Sequence, residues 1–175
     1  MSDQSLGIAL EMKKVTKRFP GTIAVNQVDF DVFAGEVHAL VGENGAGKST
    51  LMKMLAGSFD DYQGDIFIGD KRVDLHTPAI AKDMGIEMIY QELSLALPIS
   101  IAENVLVGRL PVGKLGLLDN KRTVEETGKV LERVGLEHLD PFMPIEEISQ
   151  HEAQLVEIAK ALGNVPCILV MDEPT

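Results

Sequence analysis

Residues 37–50 constrain this chain more than any other stretch. Val37-His38-Ala39-Leu40-Val41 has the apolar character of a buried central strand. It runs straight into Gly42-Glu43-Asn44-Gly45-Ala46-Gly47-Lys48-Ser49-Thr50, which fits G-x-x-x-x-G-K-[ST]. Residues 48–56 then read as a helix stopped by Gly57. A strand, a glycine loop and a helix in that order make a phosphate-binding loop. The glycines let successive backbone N–H groups turn inward without Cβ clashes. The helix adds about half a positive charge at its N-terminus. Lys48 is expected to reach the outer phosphates and Ser49 to ligate Mg²⁺.

Strands and helices alternate around that motif. Residues 8–15 and 28–33 read as strands, and Gly69-Asp70 joins residues 66–68 to Val73 in a hairpin. Thr77-Pro78 opens a short helix that ends at Gly85, and residues 86–90 form another strand. From about residue 95 the pattern turns helical. Ser100-x-x-Glu103 and Ser149-x-x-Glu152 are capping boxes. Asp119 caps a helix reaching about Val134, with Val124, Leu131 and Val134 on one face. The helix after Ser149 turns Leu155, Val156, Ala159 and Leu162 inward. Residues 167–171 make a last apolar strand, with Cys167 expected in the core. The pattern implies an α/β domain with a mainly parallel sheet. A single domain is expected over 1–175: a β subdomain and phosphate-loop core over about 1–94, a helical insert over about 95–160, and a return to the core over about 161–175.

The net charge is −11, and the acid is spread along the chain. That balance argues against a nucleic-acid partner, which needs a basic footprint. A single cysteine excludes an internal disulfide framework. No apolar run approaches the ~18 residues of a membrane span, and no secretory signal is visible at the N-terminus.

A second chemical element follows the last strand. Residues 167–171 deliver Asp172 and Glu173 at a strand C-terminus, where ligands bind in open α/β sheets. Asp172 is expected to hold Mg²⁺ through its water shell. Glu173 is expected to polarise an attacking water as general base.

Taken together, these motifs resemble the ATP-binding-cassette (ABC) family of transport ATPases, over nearly the whole chain. The resemblance implies ATP and Mg²⁺ as cofactors, and a P-loop NTPase core with an N-terminal antiparallel β subdomain and an inserted helical subdomain. Lys17-Arg18-Phe19-Pro20-Gly21 is similar to the segment whose aromatic residue, here Phe19, stacks on adenine. Ile89-Tyr90-Gln91-Glu92 looks like the loop whose glutamine, here Gln91, coordinates Mg²⁺ and the water and faces the membrane subunits. Ser149-Gln150-His151 occupies the place of the family signature that meets nucleotide on a facing cassette.

More narrowly, Met84-Gly85-Ile86, Ile101-Ala102-Glu103-Asn104, Gly108-Arg109 and residues 156–162 resemble the ATP-binding subunits of bacterial monosaccharide importers of the ribose and galactose kind. By that resemblance the chain is most of a first cassette, C-terminally incomplete. It would energise sugar import from the cytoplasmic face of the cell membrane. Its partners would be a second cassette, membrane-spanning permease subunits and, indirectly, a sugar-binding protein outside the membrane. Two features depart from the family pattern. His151 stands where the signature has a small residue, and none of His38, His76, His138 or His151 lies at the place of the family's switch histidine. A hydrolysis-deficient nucleotide-binding fragment and a soluble ABC ATPase outside transport therefore stand as alternatives.

Overall fold

The computed structural model describes residues 7–113 and 116–172. It forms two compact units that divide between Glu87 and Met88.

The first unit is built on an antiparallel sheet of order β2-β1-β3-β4. β1 (Ile8–Phe19) and β2 (Thr22–Phe33) pair across a turn at Pro20-Gly21, with Phe19 opposite Thr22. β3 (Gln63–Ile68) lies on the other side of β1, and β4 (Lys71–Val73) closes the hairpin through Gly69. Leu10, Met12 and Val15 of β1 and Ile66 of β3 are buried. β1 bulges near Lys14, which has a positive φ of 50°. A Cβ on Gly64 would meet the Lys13 and Lys14 carbonyl oxygens at 2.6 and 2.7 Å, so only glycine lets β3 pass that bulge.

α1 (Lys48–Leu55) buries Leu51, Met54 and Leu55, the i, i+3, i+4 stripe of an amphipathic helix. α2 (Pro78–Asp83) starts as expected, with the Thr77 hydroxyl accepting the Ile80 N–H at 3.3 Å.

Residues 37–41 depart from the expected strand. Among the described residues no strand pairs with them, and Val37 and Val41 are 99% and 88% exposed. A strand that is apolar on both faces gains from the fold only when neighbours cover both edges and both faces. Here the antiparallel sheet is complete without it.

The second unit holds α3 (Ile101–Val105), α4 (Asn120–Arg133) and α5 (Gln150–Leu162). Both capping boxes form at Ser100–Glu103 and Ser149–Glu152. The three helices share a core of Ile101, Val105, Leu106, Val130, Leu131, Leu136, Ile145, Ala153, Val156 and Ala159.

The buried stripe of α4 is Thr123, Thr127, Val130 and Leu131, and the expected Val124 is exposed. The Thr123 hydroxyl donates to the Asp119 carbonyl at 2.9 Å, so that threonine enters the core with its polar group satisfied. On α5, Val156 and Ala159 are buried as expected and Leu155 and Leu162 pack against the core, but Ala153, Glu157 and Ala161 are buried too.

β5 (Ile86–Ile89) and β6 (Ile168–Met171) form a two-stranded sheet. The Asp172 N–H, just past β6, donates to the carbonyl of Ile89, the last residue of β5, at 3.0 Å, so the two C-terminal ends lie together and the strands run parallel. Cys167 is exposed rather than in the core, because it precedes the first paired residue of β6. The fold is thus α/β, with an antiparallel sheet at its N-terminal end, a parallel strand pair and helices. No helix among the described residues is long and apolar enough to cross a membrane.

Candidate functional site

The glycine loop in the first unit is shaped by its backbone. Gly45 and Gly47 have φ of +83° and +90°, a region that favours glycine. A Cβ on Gly47 would lie 2.3 Å from the Ala24 carbonyl oxygen of β2, so the residue before α1 must lack a side chain. The Lys48 ammonium curls back over the loop and donates to the Gly42 and Glu43 carbonyls at 2.8 and 2.9 Å.

Gly47 is also the N-cap of α1. No side chain caps this end and no acid sits in its first turn. The positive pole of the helix is therefore not offset by a capping side chain or a first-turn acid, and it lies beside a lysine ammonium. That donor set fits a polyphosphate. The loop's charged side chains are Lys48 and Glu43, in a chain of net charge −11.

Phe19 ends β1 with its ring 37% exposed. It packs edge-on against Phe59, with centroids 5.5 Å apart. The Lys17 ammonium lies 5.0 Å from the Phe19 ring and 4.6 Å from the Phe59 ring. Lys17 is only 3% exposed, and Asp61 pairs with it. Two aromatic faces and a carboxylate together offset the burial of this cation.

In the second unit, Tyr90, Gln91, Glu92 and Leu93 follow β5 as an exposed loop. Gln91 borders a cavity of about 150 Å³, shared with Tyr90, Leu93, His151, Gln154 and Met171 among others. Two residues singled out from sequence, Gln91 and His151, thus meet at one cavity. Asp172 is half-buried and its N–H is bound beside Ile89. Glu173 lies outside the described residues.

Among the described residues no group of three or more His, Cys, Asp or Glu could cage a metal. Of the residues expected from sequence to hold Mg²⁺, Ser49 lies in the first unit and Asp172 in the second, each with one hydroxyl or carboxylate group. This suits Mg²⁺, which typically takes one or two protein ligands and completes its shell with phosphates and water.

α5 begins differently from α1. The Ser149 hydroxyl accepts the Glu152 N–H at 3.3 Å, and the Glu152 carboxylate accepts the Ser149 N–H at 2.8 Å and hydroxyl at 2.6 Å. His138 Nε2 lies 3.2 Å from the same carboxylate. The Ser149 hydroxyl, then its N–H, then His138 pull the Glu152 pKa down from 4.5 to about 2. Gln150 and His151 sit exposed on the first turn.

A carboxylate whose folded pKa is lowered stabilises the fold fully above its unfolded pKa, and the contribution is lost as pH falls through the folded value. Glu152 is therefore expected to titrate at about pH 2 in a carboxyl NMR titration. Relative to Glu152→Gln, the stability that the Glu152 carboxylate contributes should shrink as pH falls below 4.5 and be lost below about 2. A Glu152 midpoint near 4.5 would show that the capping box does not hold in solution.

Two residues have roles that the sequence pattern did not reveal. Asn104, 4% exposed on α3, accepts the Ala96 N–H at 2.8 Å and donates to the Ala96 and Ser100 carbonyls at 3.0 Å each. It thereby pins the loop that follows Gln91. Glu157 is the other. Its signal was a lone acid inside the apolar stretch 155–162 of α5.

The model of the ABC transporter family matches residues 25–175. The chain belongs to the ABC transporter family. "Ribose import ATP-binding protein RbsA 3" of Rubrobacter xylanophilus is 45% identical over 166 residues, covering 95% of this chain and 33% of that protein. A "putative ribose/galactose/methyl galactoside import ATP-binding protein" of Halalkalibacterium halodurans is 45% identical over 167 residues, covering 95% of this chain and 32% of that protein. The ABC chain therefore spans about a third of the length of these curated relatives.

Among solved structures, an ATP-binding cassette of an ABC transporter in its ADP conformation matches at a TM-score of 0.79 and 28% identity, over 95% of this chain and 69% of that one. A nucleotide-free cassette matches at 0.79 and 27%, over 96% and 70%. This ABC chain thus shares the fold of about 70% of each of these cassettes.

Proposed function

We propose that this chain is the ATP-binding and ATP-hydrolysing cassette that energises import of a monosaccharide across a bacterial cell membrane. The observation that supports the reading is the loop at residues 42–50, where the N-terminus of α1 has no capping side chain and the Lys48 ammonium lies over the loop, a combination that suits phosphate. The sugar assignment is supported by the names of the relatives, which are ribose and galactose import ATP-binding proteins.

In this reading, Gly42, Glu43, Asn44, Gly45, Ala46, Gly47 and Thr50 supply backbone to the phosphates, and Lys48 neutralises the outer ones. Phe19 stacks on the adenine, with Lys17 and Phe59 holding its ring. Ser49, Gln91 and Asp172 hold Mg²⁺, which when bound neutralises charge on the phosphates. Glu173 takes the proton from the attacking water. Ser149, Gln150 and His151 face nucleotide on a second cassette. The partners are that cassette, permease subunits spanning the membrane and, through them, a sugar-binding protein. The working place is the cytoplasmic face of the membrane, as a peripheral subunit.

Glu173→Gln tests the reading in the complete transporter, with any second active site silenced. The change keeps shape and hydrogen bonding and removes the base. ATP binding should persist while hydrolysis falls by about 10²–10⁴-fold. Turnover within a few-fold of the parent would place the base elsewhere.

A further inference from the structure

Two charged side chains are buried among the described residues, Lys17 and Glu157. Lys17 belongs to the aromatic pair described above. Glu157 belongs to nothing yet described. It sits on α5, 6% exposed, between Val156 and Ile158. A buried carboxylate disfavours the fold unless it is paired and hydrogen-bonded, and an apolar residue at this position of α5 would carry no such burden.

The partners of Glu157 lie outside its own helix, apart from Lys160. Its carboxylate accepts the Ser94 hydroxyl at 2.5 Å and the Ser94 N–H at 3.2 Å. Lys160, one turn further along α5, donates to the Ser94 carbonyl at 3.1 Å and to its hydroxyl oxygen at 2.9 Å. The Lys160 ammonium also lies 3.7 Å from the Glu157 carboxylate. Every polar group of Ser94 is thus held by one acid–base pair on α5.

Ser94 stands three residues after Gln91. Two residues beyond Ser94, Asn104 binds both the N–H and the carbonyl of Ala96. The loop is therefore gripped at Ser94 and Ala96, while Tyr90 to Leu93 lie exposed ahead of the grip. Gln91 and Glu157 line the same cavity, together with Gln154 and His151 one and two turns earlier on α5.

We propose that Glu157 is a positioning residue for Gln91: with Lys160 it clamps Ser94 onto α5 and so fixes where the Gln91 side chain stands. This rests on the reading of Gln91 as a ligand of Mg²⁺ and water. The clamp makes the Gln91 loop and α5, which carries His151, one mechanical block. Displacement of either is then transmitted to the other.

The test is a titration of residues 1–175 with ATP, once in Mg²⁺ and once in EDTA, for Gln91→Ala, Glu157→Ala and the double variant. The readout is the ratio of the two ATP affinities. Gln91→Ala and Glu157→Ala should each lower that ratio about tenfold, as loss of a residue that orients a metal ligand does. The double variant should be no worse than either single one, because both act through one side chain. ATP affinity in EDTA should stay at the parent value in all three. Ser94→Ala removes the two hydrogen bonds of the hydroxyl, leaves those of the backbone N–H and carbonyl, and should move the ratio in the same direction by a smaller factor. It carries the test if Glu157→Ala fails to fold.

A parent-like ratio in the clamp variants, additive losses, or an equal loss of affinity in Mg²⁺ and EDTA would overturn the proposal. If those results come with ATP binding that still requires Lys48, the nucleotide-site reading stands without the clamp. ATP binding indifferent to Lys48→Ala overturns that reading, and the clamp with it.

Discussion

Lys48→Ala is expected to lower the ATP affinity of residues 1–175 by about 10- to 10²-fold, because a hydrogen-bonded cation on phosphate contributes about 1.5–3 kcal/mol. The fold should survive. The hydrogen bonds of the Lys48 ammonium run to Gly42 and Glu43 within its own exposed loop. Its helix is anchored from the other face by Leu51, Met54 and Leu55. Calorimetric titration with ATP reads the affinity, and thermal melting without nucleotide reads the fold. Parent affinity in a folded Lys48→Ala would remove the phosphate-loop assignment. A large drop in melting temperature would mean that the lysine serves packing instead.

Much of the fold was legible because local chemistry decided it. Ser100, Asp119 and Ser149 cap the helices they were expected to cap, and Thr77 does so ahead of Pro78. A cap is a contact within one turn, so the sequence alone carries it. The glycine loop was legible for the same reason.

Residues 37–41 were not. Their apolar pattern announces burial, but burial needs partners from elsewhere in the chain, and no strand among the described residues pairs with them. Val124 and Cys167 misled for a related reason: each is apolar, and neither helix phase nor strand start follows from apolarity alone. Glu157 misled in the opposite direction. Charge announces exposure, and only the loop at Ser94, more than sixty residues earlier in the chain, explains why this acid is inside.

Of the candidate site, the parts made by consecutive residues could be read, namely the loop at 42–50 and the capping box at 149–152. The parts assembled by folding could not, such as the shared cavity of Gln91 and His151 and the cation held between Phe19 and Phe59.

The N-termini of α1 and α5 differ, and the difference predicts how fast residues 1–175 turn over ATP on their own. α1 has no capping side chain and no acid in its first turn, so its positive pole is available to phosphate. α5 is closed by Ser149 and by Glu152, a carboxylate with its pKa lowered to about 2 and therefore charged at neutral pH. That charge offsets the pole of α5, and the Ser149 hydroxyl is already engaged. His151 adds an imidazole on the same turn, where the family pattern has a small residue. If α5 faces nucleotide on a second copy of this chain, it brings little stabilisation to transition-state charge. None of the four histidines supplies the family's switch group either. Each missing group of this kind costs on the order of 10²–10³ in rate, so two together should leave hydrolysis close to background. Dimerisation of identical chains does not repair the loss, because each copy brings the same first turn of α5. Phosphate release at saturating MgATP is the measurement, with Lys48→Ala as the control for contaminating ATPases. Lys48-dependent turnover near ~1 s⁻¹, the low end of ordinary enzymes, would show that neither the closed N-terminus of α5 nor the absent switch group limits the chemistry.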